Sequence, residues 1–476
     1  MTAPKPLVLD VDGTFLRTDI LFECFWAGLG RRPFAVLGAV WRNLRHPARL
    51  KAELARIAPV RTDLLPVNSA VAEIALAARG EGREVVLASA SDEGHVRQLA
   101  ADYALSDRVF ASDGQTNLKS EAKAAALVAA YGERGFDYAG NARADLAVWE
   151  KADTALIVGR VPAAAGISPP GGKVALPGGW LPARLLKAMR PHQWVKNSLL
   201  LLPLIASHRF DLVTLVPILL GIIAFSAAAS SIYIVNDLLD LEADRLHPTK
   251  CRRPFANGDV PIAVGMVAFL SLGTFALALA ASLNIGFLGI VALYMVISLA
   301  YSLKLKRLRW VDIATLALLY TIRVVAGAAA GQVEVSIYML IFIFPIFVTL
   351  GCVKRLTELT LAKTDDKLPG RGYGRMDRSD LLNVAWLGTV GALVIFYLYS
   401  VSAQGRELYP TTWLIWVAMV PMAVWLVRMV MLGWYGKQDY DPIVFALRDK
   451  FGVGLLMLIL SLLFWAAGLW SRWFGG

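Results

Sequence analysis

The stretch IVNDLLDLEADRLHPTKCRRP, residues 234–254, combines closely spaced aspartates with a run of basic residues. Asp237, Asp240 and Asp244 follow the spacing i, i+3, i+7. On a helix that turns by about 100° per residue, this spacing keeps them within about 60° of one another. Carboxylates on one stripe repel each other unless a positive charge lies among them. Because Mg²⁺ prefers oxygen ligands and commonly bridges one or two carboxylates to phosphate groups, the stripe predicts a magnesium site.

The basic residues that follow the stripe are Arg245, Lys250, Arg252 and Arg253. Side chains of these types bind phosphate oxygens directly. Acidic residues for a metal and basic residues for phosphate together predict a phosphorylated or pyrophosphorylated substrate. The alternative is a solvated loop whose basic residues serve only membrane topology, which leaves the aspartate stripe unexplained.

On both sides of this stretch the chain is strongly apolar. Of its 476 residues 57% are hydrophobic and 18% are charged, and long apolar runs dominate residues 181–476. A membrane helix needs about 20 mostly apolar residues, so this region predicts an all-α polytopic bundle of nine transmembrane helices. We place them near residues 190–207, 211–235, 261–282, 285–303, 310–331, 334–352, 381–403, 410–432 and 451–472.

The charges between these spans predict the orientation of the chain in the membrane. The loops after the fourth and sixth spans are basic, through Lys304, Lys306, Arg307 and Arg309 and through Lys354, Arg355, Arg371 and Arg375 respectively. The positive-inside rule makes both loops cytoplasmic, with the N-terminus inside and the C-terminus outside. The net charge of +11 then reflects topology, and no nucleic-acid partner is expected.

Residues 1–160 mix charged and apolar residues as a soluble domain does, and the Pro-, Gly- and Ala-rich segment 161–184 is predicted to be a linker. The N-terminal apolar stretch is short and ends in two aspartates, so it is not a signal peptide. We therefore expect this domain in the cytoplasm. The three cysteines lie far apart and the histidines show no HxxxH spacing, which argues against a disulfide framework and a zinc site.

Asn236, Asp237, Asp240 and Asp244 reproduce the pattern NDxxDxxxD, and residues 185–476 thereby resemble the UbiA superfamily of intramembrane prenyltransferases. The resemblance implies an active site on the cytoplasmic side. Typical aromatic prenyltransferases carry a DxxxD pair after the fourth helix, whereas YSLKLKRLRWVD, residues 301–312, has one aspartate. This difference weakens the alternative of an aromatic, 4-hydroxybenzoate-type prenyltransferase.

Further segments resemble the decaprenyl-phosphate phosphoribosyltransferase branch of that superfamily: RPHQWVKN at 190–197, HPTKCRRP at 247–254 and KRLTE at 354–358. The resemblance implies transfer of 5-phosphoribose from 5-phosphoribosyl diphosphate to a polyprenyl phosphate with Mg²⁺. It implies catalytic roles for Asp237, Asp240, Asp244 and Asp312, the first three as metal ligands. It also implies substrate binding by Asn236, Arg245, Lys250, Arg253, Lys196, Tyr301, Lys306, Lys354, Arg355, Glu358 and Tyr373. For Lys354, Arg355 and Glu358 an interfacial salt bridge is the alternative.

LVLDVDGT, residues 7–14, resembles the first motif of haloacid dehalogenase-like (HAD) phosphatases, which implies an α/β, Rossmannoid domain with a helical cap near residues 20–75. In that family Asp10 is the nucleophile and Asp12 is the general acid and base. Ser89 of EVVLASASDE then binds phosphate, and Lys123 is the third-motif lysine, with Lys119 as the alternative.

The fourth HAD motif, usually GDxxxD, is GNARAD at residues 140–145, so the implied Mg²⁺ ligands are Asp10, Asn141 and Asp145. An amide carries no charge, so metal affinity should fall. The domain is either an active phosphatase or a degenerate, regulatory one. The basic, aromatic-bearing part of its cap is predicted either to lie on an anionic membrane or to pack within the domain.

Together the two parts predict a bifunctional enzyme of the bacterial inner membrane that makes polyprenyl-phosphoryl-ribose for cell-envelope glycans. The phosphoribosyl transfer leaves a 5-phosphate that the tethered HAD domain can remove. A homo-oligomer is compatible with the sequence. The remaining alternative is a transporter, but transporters carry charges at mid-span and these acids lie at the end of a span.

Overall fold

The computed structural model of the protein describes residues 4–334, 336–362, 371–438 and 441–475. The chain divides into two compact units. The first comprises Met1–Met189 and Tyr233–Leu270, and the second comprises Arg190–Ile232 and Ser271–Gly476. The aspartate stripe therefore belongs to the same unit as the N-terminal domain, although the sequence assigned it to the membrane bundle.

The N-terminal part is an α/β domain. Its strands and helices are β1 Leu7–Asp10, α1 Ile20–Arg31, α2 Pro33–Asn43, α3 Pro47–Ile57, α4 Ser69–Gly80, β2 Val85–Asp92, α5 Glu93–Asp102, β3 Val109–Ser112, α6 Glu121–Tyr131, β4 Asp137–Gly140, α7 Leu146–Trp149, β5 Ala155–Val158, β6 Lys173–Leu176 and α8 Pro182–Ala188. The six strands form one parallel sheet in the order β3-β2-β1-β4-β5-β6.

Strand β1 shows why this sheet is parallel and buried. Leu7 and Leu9 enter one apolar cluster, Val8 enters the cluster on the opposite face, and none of them is exposed by more than 1%. Strands covered on both faces are continuous apolar runs of this kind. Because β1 lies between β2 and β4, the carboxyl ends of three strands meet where the strand order reverses, a usual position for a ligand site.

Helices α1, α2 and α3 lie within residues 20–57, inside the segment 20–75 that is predicted to be a helical cap. The side chain of Asp19 caps α1 by accepting a hydrogen bond from the backbone N–H of Phe22. Such N-caps satisfy a donor that the first helical turn leaves open.

The segment 161–184, predicted to be a linker, contains strand β6, which pairs with β5 from Ala155↔Lys173 to Val158↔Leu176. The sheet therefore extends beyond the boundary predicted at residue 160. Pro, Gly and Ala surround this four-residue strand, and their turn-forming character concealed it in the sequence.

The remaining helices are α9 Leu202–Ser207, α10 Leu212–Leu239, α11 Leu241–Leu246, α12 Ile262–Leu283, α13 Ile285–Leu303, α14 Val311–Gly331, α15 Ile337–Leu361, α16 Arg378–Val401, α17 Ala403–Leu408, α18 Thr412–Trp434, α19 Pro442–Ala446, α20 Lys450–Ala466 and α21 Leu469–Phe474. Within the described residues, seven helical segments are long and apolar enough to cross a membrane: α10, α12, α13, α14, α15, α18 and Arg375–Val401, which includes α16.

The first and last of the nine predicted spans do not reach that length in the described part of the chain. Pro191–Leu201 is a 3₁₀ helix that follows a left-handed Arg190, and only the six residues of α9 continue it as an α-helix. At the other end, a left-handed Gly468 separates α20 from α21. The count of nine spans thus stays a prediction.

Lys354 and Arg355 were predicted to follow the sixth span, but they lie inside α15, which continues to Leu361. The sequence prediction ended this span at its first charged residues. Arg355 is instead fully buried, because its guanidinium is neutralised by carboxylates described below.

Candidate functional site

The aspartate stripe brings two carboxylates onto one cation. Asp237 lies in the last turn of α10 and Asp244 lies in α11, and both are almost fully buried. Arg253 donates from Nη1 to Oδ1 of Asp237 at 3.0 Å and to Oδ2 of Asp244 at 2.7 Å. Burial raises the pKa of Asp244 to about 6, and Arg253 opposes this rise while the Asp237 carboxylate adds to it.

The chemistry of this pair fits a divalent cation. Two carboxylate oxygens converge on one position, which the guanidinium occupies, and such oxygens are the ligands that Mg²⁺ prefers. Among the residues that the structure describes, no three His, Cys, Asp or Glu side chains are grouped so as to hold a metal ion. Asp237 and Asp244 would therefore hold the ion from one side, with water or substrate oxygens opposite.

The other predicted residues of the motif differ in accessibility. Asn236 and Asp240 are half-buried, with Asp240 preceding the first residue of α11, and Lys250 is exposed. Asp237 and Asp244 therefore lie close together as predicted. The helix α10 ends at Leu239, before Asp240, so the three aspartates do not lie on one continuous helix.

Arg245 forms an ion pair that the sequence did not predict. Its Nη1 and Nη2 lie 3.0 Å and 2.5 Å from the two carboxylate oxygens of Glu23 in cap helix α1. Its Nε donates to the carbonyl of Ala256 at 2.9 Å. Glu23 also accepts a hydrogen bond from Thr18 Oγ1 at 2.6 Å. Each nitrogen of this predicted phosphate-binding guanidinium thus has a partner within the first unit.

In the second unit, Asp312 at the start of α14 forms an ion pair with Arg355. The Nε and Nη2 of Arg355 lie 2.5 Å and 2.9 Å from the two carboxylate oxygens, and the two side chains are fully buried. Tyr301 donates its hydroxyl to Asp312 at 2.8 Å and accepts from Arg355 at 3.0 Å. Arg355 also pairs with Glu358, which matches the salt-bridge alternative for these two residues.

Two further residues border this cluster. Arg371, to which the sequence gave no site role, donates to the Tyr301 hydroxyl at 3.2 Å. Tyr373 is completely buried, and its hydroxyl accepts the backbone N–H of Trp310 at 2.8 Å. Lys306 is half-buried in the 3₁₀ turn Leu305–Arg307.

Two predicted lysines share a carboxylate that the sequence analysis missed. Lys196 forms an ion pair with Asp441, and Nζ of Lys354 lies 3.7 Å from the same carboxylate. Asp441 also caps α19. Although burial opposes it, the ammonium groups of Lys196 and Lys354 lower the pKa of Asp441 to about 2. An aspartate directly before proline at a helix start was the signal for this cap in the sequence.

The N-terminal domain also contains a lysine that lies between two aspartates. Nζ of Lys123, from α6, lies 2.6 Å from Asp10 at the end of β1 and 3.7 Å from Asp145. Thr14 Oγ1 donates to the other oxygen of Asp10 at 3.1 Å. Burial raises the pKa of Asp10 to about 7, against the effect of Lys123. Lys119, the alternative to Lys123, is exposed.

Both oxygens of Asp145 are already engaged. Tyr138, which also accepts a hydrogen bond from Lys123, donates to Oδ1 of Asp145 at 2.8 Å. The backbone N–H groups of Asn141 and Ala142 donate to Oδ2 at 3.0 Å. Asp145 therefore fits a metal ion poorly in this geometry, and it holds Tyr138 and the fourth motif in place.

Asp12 accepts three hydrogen bonds around its carboxylate. Ser89 and Ser91 donate their hydroxyls to Oδ2 at 2.9 Å and 2.7 Å. The backbone N–H of Ile20 donates to Oδ1 at 2.9 Å. Nearby, burial and the Asp12 charge raise the pKa of Asp19 to about 7. The structure thus brings together the residues of all four predicted HAD motifs and adds Ser91, Tyr138 and Asp19.

Comparisons with known proteins extend to both parts of the chain. The chain is 31% identical over 453 residues, 94% of its length, to the uncharacterized protein y4nM of Sinorhizobium fredii, of which it covers 88%. It is 34% identical to the nodulation protein NoeC of Azorhizobium caulinodans, over 58% of this chain and 92% of that one. It is also 34% identical to a decaprenyl-phosphate phosphoribosyltransferase of Mycobacterium tuberculosis, over 57% of this chain and 89% of that one.

A solved structure of a UbiA homologue from Archaeoglobus fulgidus, bound to GPP and Mg²⁺, matches with a TM-score of 0.46 and 17% identity, over 60% of this chain and 99% of that one. Residues 198–365 match the family model described as the UbiA prenyltransferase family. The apolar helices agree with a multi-pass membrane protein. Because the chain covers most of the length of relatives at 31–34% identity, it belongs to the UbiA prenyltransferase family and is a transferase.

Proposed function

We propose that the chain transfers 5-phosphoribose from 5-phosphoribosyl diphosphate to a polyprenyl phosphate and releases pyrophosphate. The observation that carries this assignment is the convergence of Asp237 and Asp244 on one cationic position. Support also comes from 34% identity to a protein named decaprenyl-phosphate phosphoribosyltransferase, over 89% of its length.

In this reaction the bond between ribose C1 and the pyrophosphate oxygen breaks, and its electron pair leaves with pyrophosphate. An oxygen of the lipid phosphate forms the new bond to C1. When bound, Mg²⁺ neutralises the charge that develops on pyrophosphate. Asp237 and Asp244 hold that position, while Arg253, whose side chain is 25% exposed, turns from the carboxylates to a phosphate oxygen. Since the lipid phosphate is already an anion, no residue needs to act as a strong base.

The lysine pair of the second unit is the proposed site for a phosphate group. Lys196 and Lys354 share the single carboxylate of Asp441, so the buried cluster carries one excess positive charge. A phosphate oxygen would supply the missing negative charge. Asp312 acts through its neighbours, since its oxygens hold Arg355 and Tyr301 in fixed positions. Asn236, Asp240, Lys250, Lys306, Glu358 and Tyr373 remain predicted site residues.

We place the protein in the bacterial inner membrane with the N-terminal domain in the cytoplasm. The basic loop Lys304–Arg309 supports this orientation through the positive-inside rule. Both 5-phosphoribosyl diphosphate and Mg²⁺ are then available on the side where we expect the aspartates.

The transfer is tested with the purified protein in vesicles that contain polyprenyl phosphate. Labelled 5-phosphoribosyl diphosphate is added, and the lipid products are identified by mass spectrometry. We expect Asp237→Asn to lower the rate by about 100-fold or more, because a charge needed at the leaving group is lost. Glu242→Gln, a half-buried position on α11 whose carboxylate pairs with Arg31 of α1, is the matched control and should retain the wild-type rate. Product formed only from a polyprenyl diphosphate and hydroxybenzoate would instead support the aromatic prenyltransferase. Full turnover in excess chelator would contradict the proposed dependence of the transfer on Mg²⁺.

For the N-terminal domain we propose that it removes the 5-phosphate from the lipid-linked phosphoribose. The arrangement of Asp10, Lys123 and Thr14 at the end of β1 favours this second activity. Asp10 would attack phosphorus, Asp12 would protonate the departing ribose oxygen, and water would then release phosphate from Asp10. The fourth-motif residues do not fit a metal ion in this step, because both oxygens of Asp145 already accept hydrogen bonds.

The same vesicle assay tests the phosphatase. We expect Asp10→Asn to accumulate the 5-phosphorylated lipid, while wild type and Asp113→Asn, an exposed control in the same domain, convert it to the dephosphorylated product. Equal accumulation in all three proteins would favour the degenerate, regulatory domain. Transfer itself should continue in Asp10→Asn.

A further inference from the structure

Cap helix α2 presents an apolar stripe that the domain does not cover. Phe34, Leu37, Trp41 and Leu44 are 87%, 53%, 80% and 63% exposed, respectively. Their spacing of i, i+3, i+7 and i+10 places them within about 80° of one helix face. Contiguous exposed apolar side chains of this size mark a surface that contacts another apolar phase.

The opposite face of α2 already supplies the packing that the domain needs. Val36 and Ala39 are fully buried in the cluster that covers one face of the sheet. The stripe is therefore a second apolar face on a helix whose core-facing side is complete. Ordinary packing within the cap, the alternative left open by the sequence, accounts for Val36 and Ala39 and does not account for Phe34 or Trp41.

Basic residues flank the stripe in the sequence. Arg32, Arg45 and Arg49 are exposed, and none of them forms an ion pair with a described residue. Arg42 and Arg31 are also exposed, and each is paired with one glutamate, Glu53 and Glu242 respectively. An apolar face with tryptophan and phenylalanine, flanked by arginines, complements the acyl chains and anionic headgroups of a bilayer surface.

The helix that precedes α2 packs against two helices that are long and apolar enough to cross a membrane. The ring of Trp26 in α1 packs against that of Phe269, with centroids 5.9 Å apart, and Phe269 belongs to membrane helix α12. A Cβ placed on Gly30 would lie 3.8 Å from Leu239, the last residue of membrane helix α10. Helix α1 thus lies against the last residue of α10 and the second turn of α12, and α2 starts three residues after Gly30.

We propose that α2 is an interfacial helix that inserts Phe34, Leu37, Trp41 and Leu44 among the lipids of an anionic membrane surface. Arg32, Arg45 and Arg49 contact the lipid phosphates. This contact would fix the N-terminal domain to the bilayer independently of the reaction that it carries out.

A single-cysteine label tests the insertion in the full chain. Cys24 and Cys352 are buried, so a Cys251→Ser background leaves no accessible native thiol among them. A polarity-sensitive fluorophore is attached at Leu37→Cys, and at Leu76→Cys as the matched control, an exposed leucine of α4 at 63%. Both proteins are reconstituted in vesicles of phosphatidylcholine and phosphatidylglycerol with a nitroxide-labelled lipid as quencher.

We expect quenching at position 37 to exceed that at position 76 by about threefold or more, because only the former lies at acyl-chain depth. Quenching should decrease in vesicles of phosphatidylcholine alone and in the Arg32→Gln, Arg45→Gln, Arg49→Gln triple variant. Equal quenching at the two positions would overturn the proposal. A blue-shifted emission at position 37 without lipid quenching would also overturn it, because a protein surface would then cover the stripe.

Discussion

The first unit contains two buried aspartate pairs, each with one basic side chain between its carboxylates, and the two basic side chains differ in exposure. Lys123 lies between Asp10 and Asp145 with 5% of its side chain exposed. Arg253 lies between Asp237 and Asp244 with 25% exposed. The same charge pattern is thus built around an enclosed ammonium in one place and a partly exposed guanidinium in the other. The proposed transfer needs the second of these cations to exchange partners and the first to stay in place.

The largest expected difference between the pairs is in stability. Lys123→Met leaves two buried carboxylates without their counter-charge and should lower the free energy of unfolding by about 4 kcal/mol. Arg253→Met should lower it less, by about 1–2 kcal/mol, because the guanidinium is itself 25% exposed and water can enter the position that it leaves beside the buried carboxylates. Thermal unfolding in detergent measures both. Equal losses would remove the distinction between a closed and an open site.

A smaller loss of stability is expected when the ion pair between Glu23 of α1 and Arg245 of α11 is broken. Glu23→Gln leaves the buried guanidinium of Arg245 without its carboxylate, although Gln keeps one acceptor oxygen. We expect a loss of about 2 kcal/mol in unfolding free energy and a lower transferase rate, because Arg245 follows Asp244 directly. Glu133→Gln breaks the exposed pair with Lys151 and is the control, which should leave the free energy of unfolding unchanged because solvent screens this pair. A rate unchanged in Glu23→Gln would separate the two sites functionally.

The last effect is spread over a pH range, is the smallest when taken per pH unit, and concerns Asp19 near the N-terminal pair. The folded pKa of Asp19 is raised to about 7, so between about pH 4 and pH 7 the folded chain holds a proton that the unfolded chain has lost. Stability therefore falls as pH rises through this window, by about 1 kcal/mol per pH unit. Asp19→Asn keeps the cap of α1 and should flatten this slope, with the stabilisation greatest near pH 8 and absent near pH 4. A slope that the substitution does not change would contradict the assignment to Asp19.

Motif spacing was sufficient to predict which side chains meet at the end of β1. The end of β1 carries Asp10, with Asp12 just after it. Ser89 lies in the neighbouring strand β2, and Lys123 lies in the first turn of α6. Tyr138 was not predicted, because an inward tyrosine on β4 looks like an ordinary core residue. Its hydroxyl becomes part of the site only through the packing of α6 beside that strand.

Ion pairs between residues that are distant in the sequence could not be predicted from local sequence patterns. Glu23 and Arg245 are separated by 222 positions, and nothing in either segment identifies the other. The same holds for Lys196 and Asp441, 245 positions apart. Arg355 was predicted outside its helix, because a charge signals a boundary unless a buried carboxylate such as Asp312 neutralises it.

The first unit is discontinuous, and this affects the order of events during synthesis. Residues 1–189 leave the ribosome before residues 233–270, so the partner of Glu23 does not yet exist when the sheet assembles. The domain translated first therefore completes its structure only after α10 has entered the bilayer and the chain has turned back. A nascent chain that misplaces α10 would leave Glu23, a buried carboxylate of the domain, without the guanidinium of Arg245.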